Sequence, residues 1–180
     1  MTDAPASIGD TIDRIDTPAL VVELDAFESN LGAMAAFARD SGIRLRPHAK
    51  THKCAVIAMK QIAAGAVGQC CQKVGEAEAF VAAGILDVLV TNEIVGAGKL
   101  ARLAALAREA TIGVLVDDAA SVGHLGAAAK SAGATLDVLV EIDVGAHRCG
   151  VAPGAAAVLL AHRIARTPSL RFRGLHARAY

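Results

Sequence analysis

The sequence predicts an α/β fold, a parallel sheet covered by helices. The sheet would be either most of a (β/α) barrel or a complete, smaller open sheet. Three observations predict it. Apolar stretches of strand length alternate with stretches of helical spacing, joined by short loops. The strand-like stretches, such as Asp87-Val88-Leu89-Val90-Thr91, are apolar on both faces, as in a parallel sheet with helices packed on it. Polar residues collect just past them, at Lys50, Gln72, Asn92-Glu93, Asp117-Asp118 and 143–148. The carboxyl ends of parallel strands form the functional face in both architectures.

Taken in order, Thr17-Pro18 introduces Ala19-Leu20-Val21-Val22-Glu23-Leu24, read as a short apolar strand. Asp25 is placed to cap the following helix, with Glu28 three residues on. Phe27, Leu31, Met34 and Phe37 recur at helical spacing until Ser41-Gly42. The basic stretch Arg44-Leu45-Arg46-Pro47-His48-Ala49-Lys50-Thr51-His52-Lys53 follows as a strand and its end. Helices are expected over 52–64, 75–83, 99–110 and 154–165, and strands over 65–71, 87–91, 112–116, 136–142 and 170–175. Asp117-Asp118 caps a further helix that runs to Ala132. A (β/α)₈ barrel has eight strands and about 250 residues, so this chain reads as roughly three quarters of one.

The chain has 180 residues and is 54% hydrophobic with no Trp and one Tyr, so its core is expected to be aliphatic. Acids and bases balance at 18 each, which argues against a general nucleic-acid or membrane-surface binder. Residues 1–16 lack the basic and apolar regions of a signal peptide, and no apolar run reaches the length of a membrane span. Cys54, Cys70, Cys71 and Cys149 form no CxxC, so reduced thiols in a cytoplasmic protein are expected.

Three groups of residues are candidates for chemistry. Lys50 sits among cations at a strand end, where a desolvated amine with a lowered pKa can act as a Schiff-base nucleophile. The alternative is a solvated or phosphate-binding basic strand end. His48 and His52 have the i,i+4 spacing of a metal pair, but Pro47 disfavours the helix that such a pair needs. In Glu141-Ile142-Asp143-Val144-Gly145-Ala146-His147-Arg148-Cys149-Gly150 a strand ends in a carboxylate, turns at Gly and presents Arg148. Arg holds a phenolate or phosphate oxygen without losing its charge, although an ordinary loop with a surface ion pair has the same composition. Cys70-Cys71-Gln72-Lys73 offers a redox thiol or two packing residues. GxGxxG and GxxxxGK[ST] fingerprints are absent from the sequence.

Arg46-Pro47-His48-Ala49-Lys50-Thr51-His52-Lys53-Cys54 resembles the lysine motif of the fold-type III pyridoxal-phosphate family that includes D-threonine aldolase, D-3-hydroxyaspartate aldolase and D-serine dehydratase. Gly68-Gln69-Cys70-Cys71-Gln72-Lys73-Val74, Thr91-Asn92-Glu93-Ile94-Val95-Gly96 and Val140-Glu141-Ile142-Asp143-Val144-Gly145 with Arg148-Cys149-Gly150-Val151 resemble further blocks of that family, in order. The cysteine-bearing blocks are closer to the aldolases.

The resemblance implies a pyridoxal-phosphate barrel of the alanine racemase type, followed by a C-terminal β domain. Residues 1–24 would form an N-terminal segment whose strand joins that β domain, and 25–180 an incomplete cofactor-binding barrel without its last strands. Lys50 would carry pyridoxal 5'-phosphate as a Schiff base and Arg148 would sit near its phenolic oxygen. Gln72, and Tyr180 opposite a family Tyr, would be further cofactor contacts, with Asn92 behind them. Family members also use a divalent metal (Mn, Mg or Zn), held near their C-terminus, to grip the substrate's β-hydroxyl, and no residue of this chain is assigned to it.

The implied reaction is retro-aldol cleavage of a D-β-hydroxy-α-amino acid such as D-threonine or D-3-hydroxyaspartate, by a cytoplasmic protein that is a homodimer when full length. Alternatives are dehydration of D-serine or D-hydroxyaspartate, and an inactive truncated barrel fragment. The closing Gly174-Leu175-His176-Ala177-Arg178-Ala179-Tyr180 departs from the family's Gly-Leu-Gln-Ala-Tyr-His-Gly.

Overall fold

In the computed structural model, which describes residues 6–178, five strands form one parallel sheet in the order β1-β2-β3-β4-β5. They are β1 (Gln69–Cys71), β2 (Asp87–Glu93), β3 (Thr111–Val116), β4 (Leu136–Ile142) and β5 (Leu170–Ala177). Before them come α1 (Leu24–Asp40) and α2 (Ala55–Ala63), and between them α3 (Val74–Ala82), α4 (Ala97–Leu106), α5 (Ala119–Ala132) and α6 (Ala155–Ala165). Strand order separates the two architectures that share this pattern. A doubly wound sheet reverses at a switch point, whereas each strand here pairs with its predecessor. Right-handed crossovers that never reverse keep their helices on one face and curl the sheet. The described residues are an arc of a (β/α) barrel.

Side-chain alternation gives the arc two different faces. Val88, Val90, Ile112, Val114, Val116, Leu136, Val138 and Val140 join one core cluster with Leu100 and Leu103 of α4 and Val122 and Leu125 of α5. Burying each such side chain contributes about 1.5–3 kcal/mol. The opposite, inner face takes the intervening residues: Cys70, Leu89, Thr91, Gly113, Leu115, Asp137, Leu139 and Glu141. Its floor, at the start of the strands, is held by ion pairs. Arg46 Nη1 lies 2.9 Å from Asp87 Oδ1, and the buried Asp137 carboxylate receives Arg171 Nε at 2.5 Å and Arg173 Nε at 3.2 Å.

Several elements start or stop for local reasons. Asp118 Oδ1 accepts from the N–H groups of Ala120 (2.7 Å) and Ser121 (2.9 Å), which caps α5, and Gly133 at φ 63° ends it. Hydrogen bonds from Ser121 hold the Asp118 carboxyl below its usual value. Asp118→Ala is expected to lower the unfolding free energy by about 1 kcal/mol at neutral pH. A depressed pKa contributes stability above its unfolded value. The deficit of the variant, measured by urea denaturation, should therefore shrink as pH falls through the folded pKa.

Four expectations about elements need correction. Residues 19–23 form no strand, because no described strand pairs with them and the chain turns into α1 at Leu24. The cap of α1 is Glu23, whose carboxylate accepts from Asp25 N at 3.1 Å and Ala26 N at 2.6 Å; Asp25 is inside the first turn. The basic stretch runs alongside β1 only as an extended segment, with Val67 N donating to Leu45 O, Cys70 N to Pro47 O and Ala49 N to Cys70 O. Pro47 has no N–H to give, so the ladder reduces to a bridge between His48 and Cys70. The expected strand over 65–71 is confined to Gln69–Cys71. At Gly68, φ is 151° and a Cβ would stand 2.5 Å from Asp87 O and against the Arg46 guanidinium.

Candidate active site

The strands end in a polar rim, and the side chains that reach it come from the segment before β1, from the strands themselves and from the β4–α6 loop. The 45–49 segment, pinned along β1, releases the chain at Lys50, which the following turn closes through a 2.7 Å bond from Lys53 N to Ala49 O. The backbone N–H of Lys50 donates to His48 Nδ1 at 3.2 Å, and His48 Nε2 lies 2.9 Å from Thr91 Oγ1. Thr91 in turn donates its hydroxyl to Cys71 O at 3.2 Å. These three bonds run in one direction only if Nδ1 accepts and Nε2 carries the proton, so His48 is the neutral Nε2–H tautomer. Burial pushes the imidazole below its usual value, and the charges of Lys50 and Arg178 add to that.

Arg148 arrives from the β4–α6 loop. Asp143 Oδ1 accepts from Gly145 N at 2.9 Å and His147 N at 3.0 Å, which folds the loop back on itself. Val151 N then donates to Glu141 O at 2.9 Å, and Asp143 N to Val151 O at 2.9 Å. Gly150 crosses this strand end with its own N–H on Asp117 Oδ2 at 3.1 Å. The result is one depression of about 470 Å³, with Lys50, Arg148, His48, Thr91, His176, Arg46 and Arg178 in its lining. Among the described residues, none that lines it is acidic.

Residues 22–177 match the family described as alanine racemase, N-terminal domain. The chain belongs to that family. It is 52% identical over 173 residues to a D-threonine aldolase of an Arthrobacter species, covering 96% of this chain and 46% of the relative. A 3-hydroxy-D-aspartate aldolase of Paracoccus denitrificans is 46% identical over 177 residues, covering 97% and 46%. The solved D-threonine aldolase of Filomicrobium marinum is similar at a TM-score of 0.94 and 55% identity, over 96% of this chain and 47% of that one. The chain spans about half the length of the curated relatives it matches.

Within this alanine-racemase-type arc, Lys50 and Arg148 share the depression, and Gln72 lies in an adjoining one with Asn92, Lys53 and Glu76. Gln72 N donates to Glu76 Oε2 at 2.8 Å, and Gln72 is not among the residues that line the Lys50–Arg148 depression. Tyr180 lies outside the described residues. Lys50 itself is exposed, so the desolvation expected at this amine is not seen; what surrounds it is charge. His52 is no metal partner for His48. It sits in a turn with Nδ1 accepting from Cys54 N at 3.1 Å, and both ring nitrogens of His48 are engaged.

Cys70 and Cys71 are buried, and burial pushes their thiols up to about 11 and about 12. They are packing residues of β1 rather than nucleophiles. Sequence reasoning missed Thr91, His176 and the inward direction of Glu141. For Thr91 there was a signal, a hydroxyl closing an apolar strand just before Asn92-Glu93. For His176 there was none, since it lies in the tail that departs from the family pattern.

Proposed function

We propose that residues 25–180 are the cofactor-holding barrel part of a lyase that splits D-β-hydroxy-α-amino acids, D-threonine or D-3-hydroxyaspartate, into glycine and an aldehyde. The observation that carries this reading is the meeting of Lys50 and Arg148 in a depression without acids. It fits pyridoxal 5'-phosphate chemically: an amine for the aldehyde carbon, a guanidinium for the phenolic oxygen and a cationic rim for an anionic ligand. When bound, that cofactor supplies an electron sink for the bond pair released as Cα–Cβ breaks.

The chain's own residues hold and orient it. Lys50 provides the attaching amine. Arg148 donates to the phenolic oxygen and keeps its charge throughout. Neutral His48 fixes the backbone turn that carries Lys50 and adds no charge beside it. Gln72 and Tyr180 are proposed as further cofactor contacts. Residues 1–24 are proposed to join a β domain. The four free cysteines support a cytoplasmic, reducing setting, and the protein is proposed to work as a homodimer.

The test is product analysis with the protein in its full reading frame, loaded with pyridoxal phosphate and a divalent metal. Glycine with acetaldehyde is expected from D-threonine, or glycine with glyoxylate from D-3-hydroxyaspartate. Ammonia with an oxo acid in place of glycine would replace cleavage by dehydration.

A further inference from the structure

Five buried side-chain polar atoms of the described residues have no hydrogen-bond partner, and three of them belong to neighbours at one spot: Glu93 Oε1, Glu141 Oε2 and His176 Nδ1. Glu141 is 2% exposed and faces inward from β4. His176 Nδ1 approaches its Oε2 to 3.4 Å without making a hydrogen bond. Its other oxygen, Oε1, receives Cys149 Sγ at 3.3 Å. Glu93 stands on the inner face in alternation with Leu89 and Thr91, and the register shift in β2 between Val90 and Glu93 brings it opposite Leu115. Ligand atoms of Glu93, Glu141 and Cys149 all lie within 4.8 Å of one another.

We propose that Glu93, Glu141, Cys149 and His176 form a four-ligand site for a zinc-type divalent cation, bordering the Lys50–Arg148 depression. A fully buried carboxylate with a second carboxylate, a thiol and an imidazole half-buried around it is costly without a counter-charge.

A divalent cation would supply that counter-charge. The donor set of one sulfur, one nitrogen and two oxygens suits Zn²⁺ or Co²⁺ rather than the all-oxygen shells of Mg²⁺ and Ca²⁺. Tetrahedral ligands at zinc distances stand about 3.3–3.8 Å apart; Cys149 Sγ already stands 3.3 Å from Glu141 Oε1, whereas His176 Nδ1 stands 3.4 Å from the other oxygen, outside the group of Glu93, Glu141 and Cys149, and must shift inward to complete the shell. The four ligands come from β2, β4, the β4–α6 loop and β5. Bound metal would tie those elements together and fix the loop that carries Arg148.

This site is separate from the metal that the family resemblance assigns to residues near the C-terminus, and it does not depend on the proposed reaction. The test is Co²⁺ titration of the untagged chain after chelator treatment. One equivalent should bind with a thiolate-to-cobalt charge-transfer band that Zn²⁺ displaces. Cys149→Ser should lose the band, and Cys54→Ser should keep it. X-ray absorption of the zinc-loaded wild type should show one sulfur at about 2.3 Å beside nitrogen and oxygen at about 2.0–2.2 Å. A shell of nitrogen and oxygen alone, no band in the wild type, or a band that survives Cys149→Ser would overturn the assignment.

Discussion

Lys50→Ala should abolish the visible absorption that the wild-type chain develops when mixed with pyridoxal phosphate, while Lys53→Ala should leave it in place. The expected loss is complete, because an alkyl stump offers no nitrogen for the cofactor's aldehyde carbon. Lys53 cannot stand in. It follows a sharp turn at φ 48° and lines the adjoining depression with Gln72 and Glu76. Unfolding would not explain the loss, since Lys50 is exposed and substitutions at such positions usually change stability by less than about 0.5 kcal/mol. Far-UV circular dichroism of the variant should match wild type. A wild-type chain that never shows the band would remove the cofactor reading, as would a band that persists without Lys50.

Gly150→Ala is expected to be the most damaging single methyl in the site. At φ 101° an L-residue is strained, and the new Cβ would stand 2.8 Å from both Asp143 N and Ile142 C. Those are backbone atoms of the same strand end, so no side-chain rotation relieves the clash. A destabilisation of about 2–4 kcal/mol is expected, or roughly 5–15 °C in Tm for a chain of this size. Because the loop also carries Arg148, cofactor affinity should fall with it. Gly145→Ala is the comparison: φ is 110°, but its Cβ meets nothing within 4 Å, so it should cost less. A thermal scan placing Gly150→Ala within a degree of wild type would contradict this account of the loop.

Much of the scaffold was legible because the helix-facing residues of its strands are buried. Leu136–Ile142 stands where its apolar run predicts, and Asp118 caps α5 as its position before that helix implies. Lys50 and Arg148, far apart in sequence, line one depression, while their roles there remain proposals. Strand order was not legible, since alternating pattern carries no record of which neighbour a strand selects. The apolar run 19–24 reads as a strand only while a ladder partner is assumed. Glu141 resembled a loop-side acid because one charged residue in an apolar strand does not reveal which face it occupies.

The order of the sheet also bears on how the chain is made. Gln69 pairs with Val88, Val88 with Ile112, Gly113 with Asp137, and Leu136 with Leu170, so every ladder joins a segment to the one synthesised just before it. Within the arc, each strand after β1 can add to the edge that its predecessor leaves. Growth of this kind is vectorial, and the most recently added strand is always the template for the next.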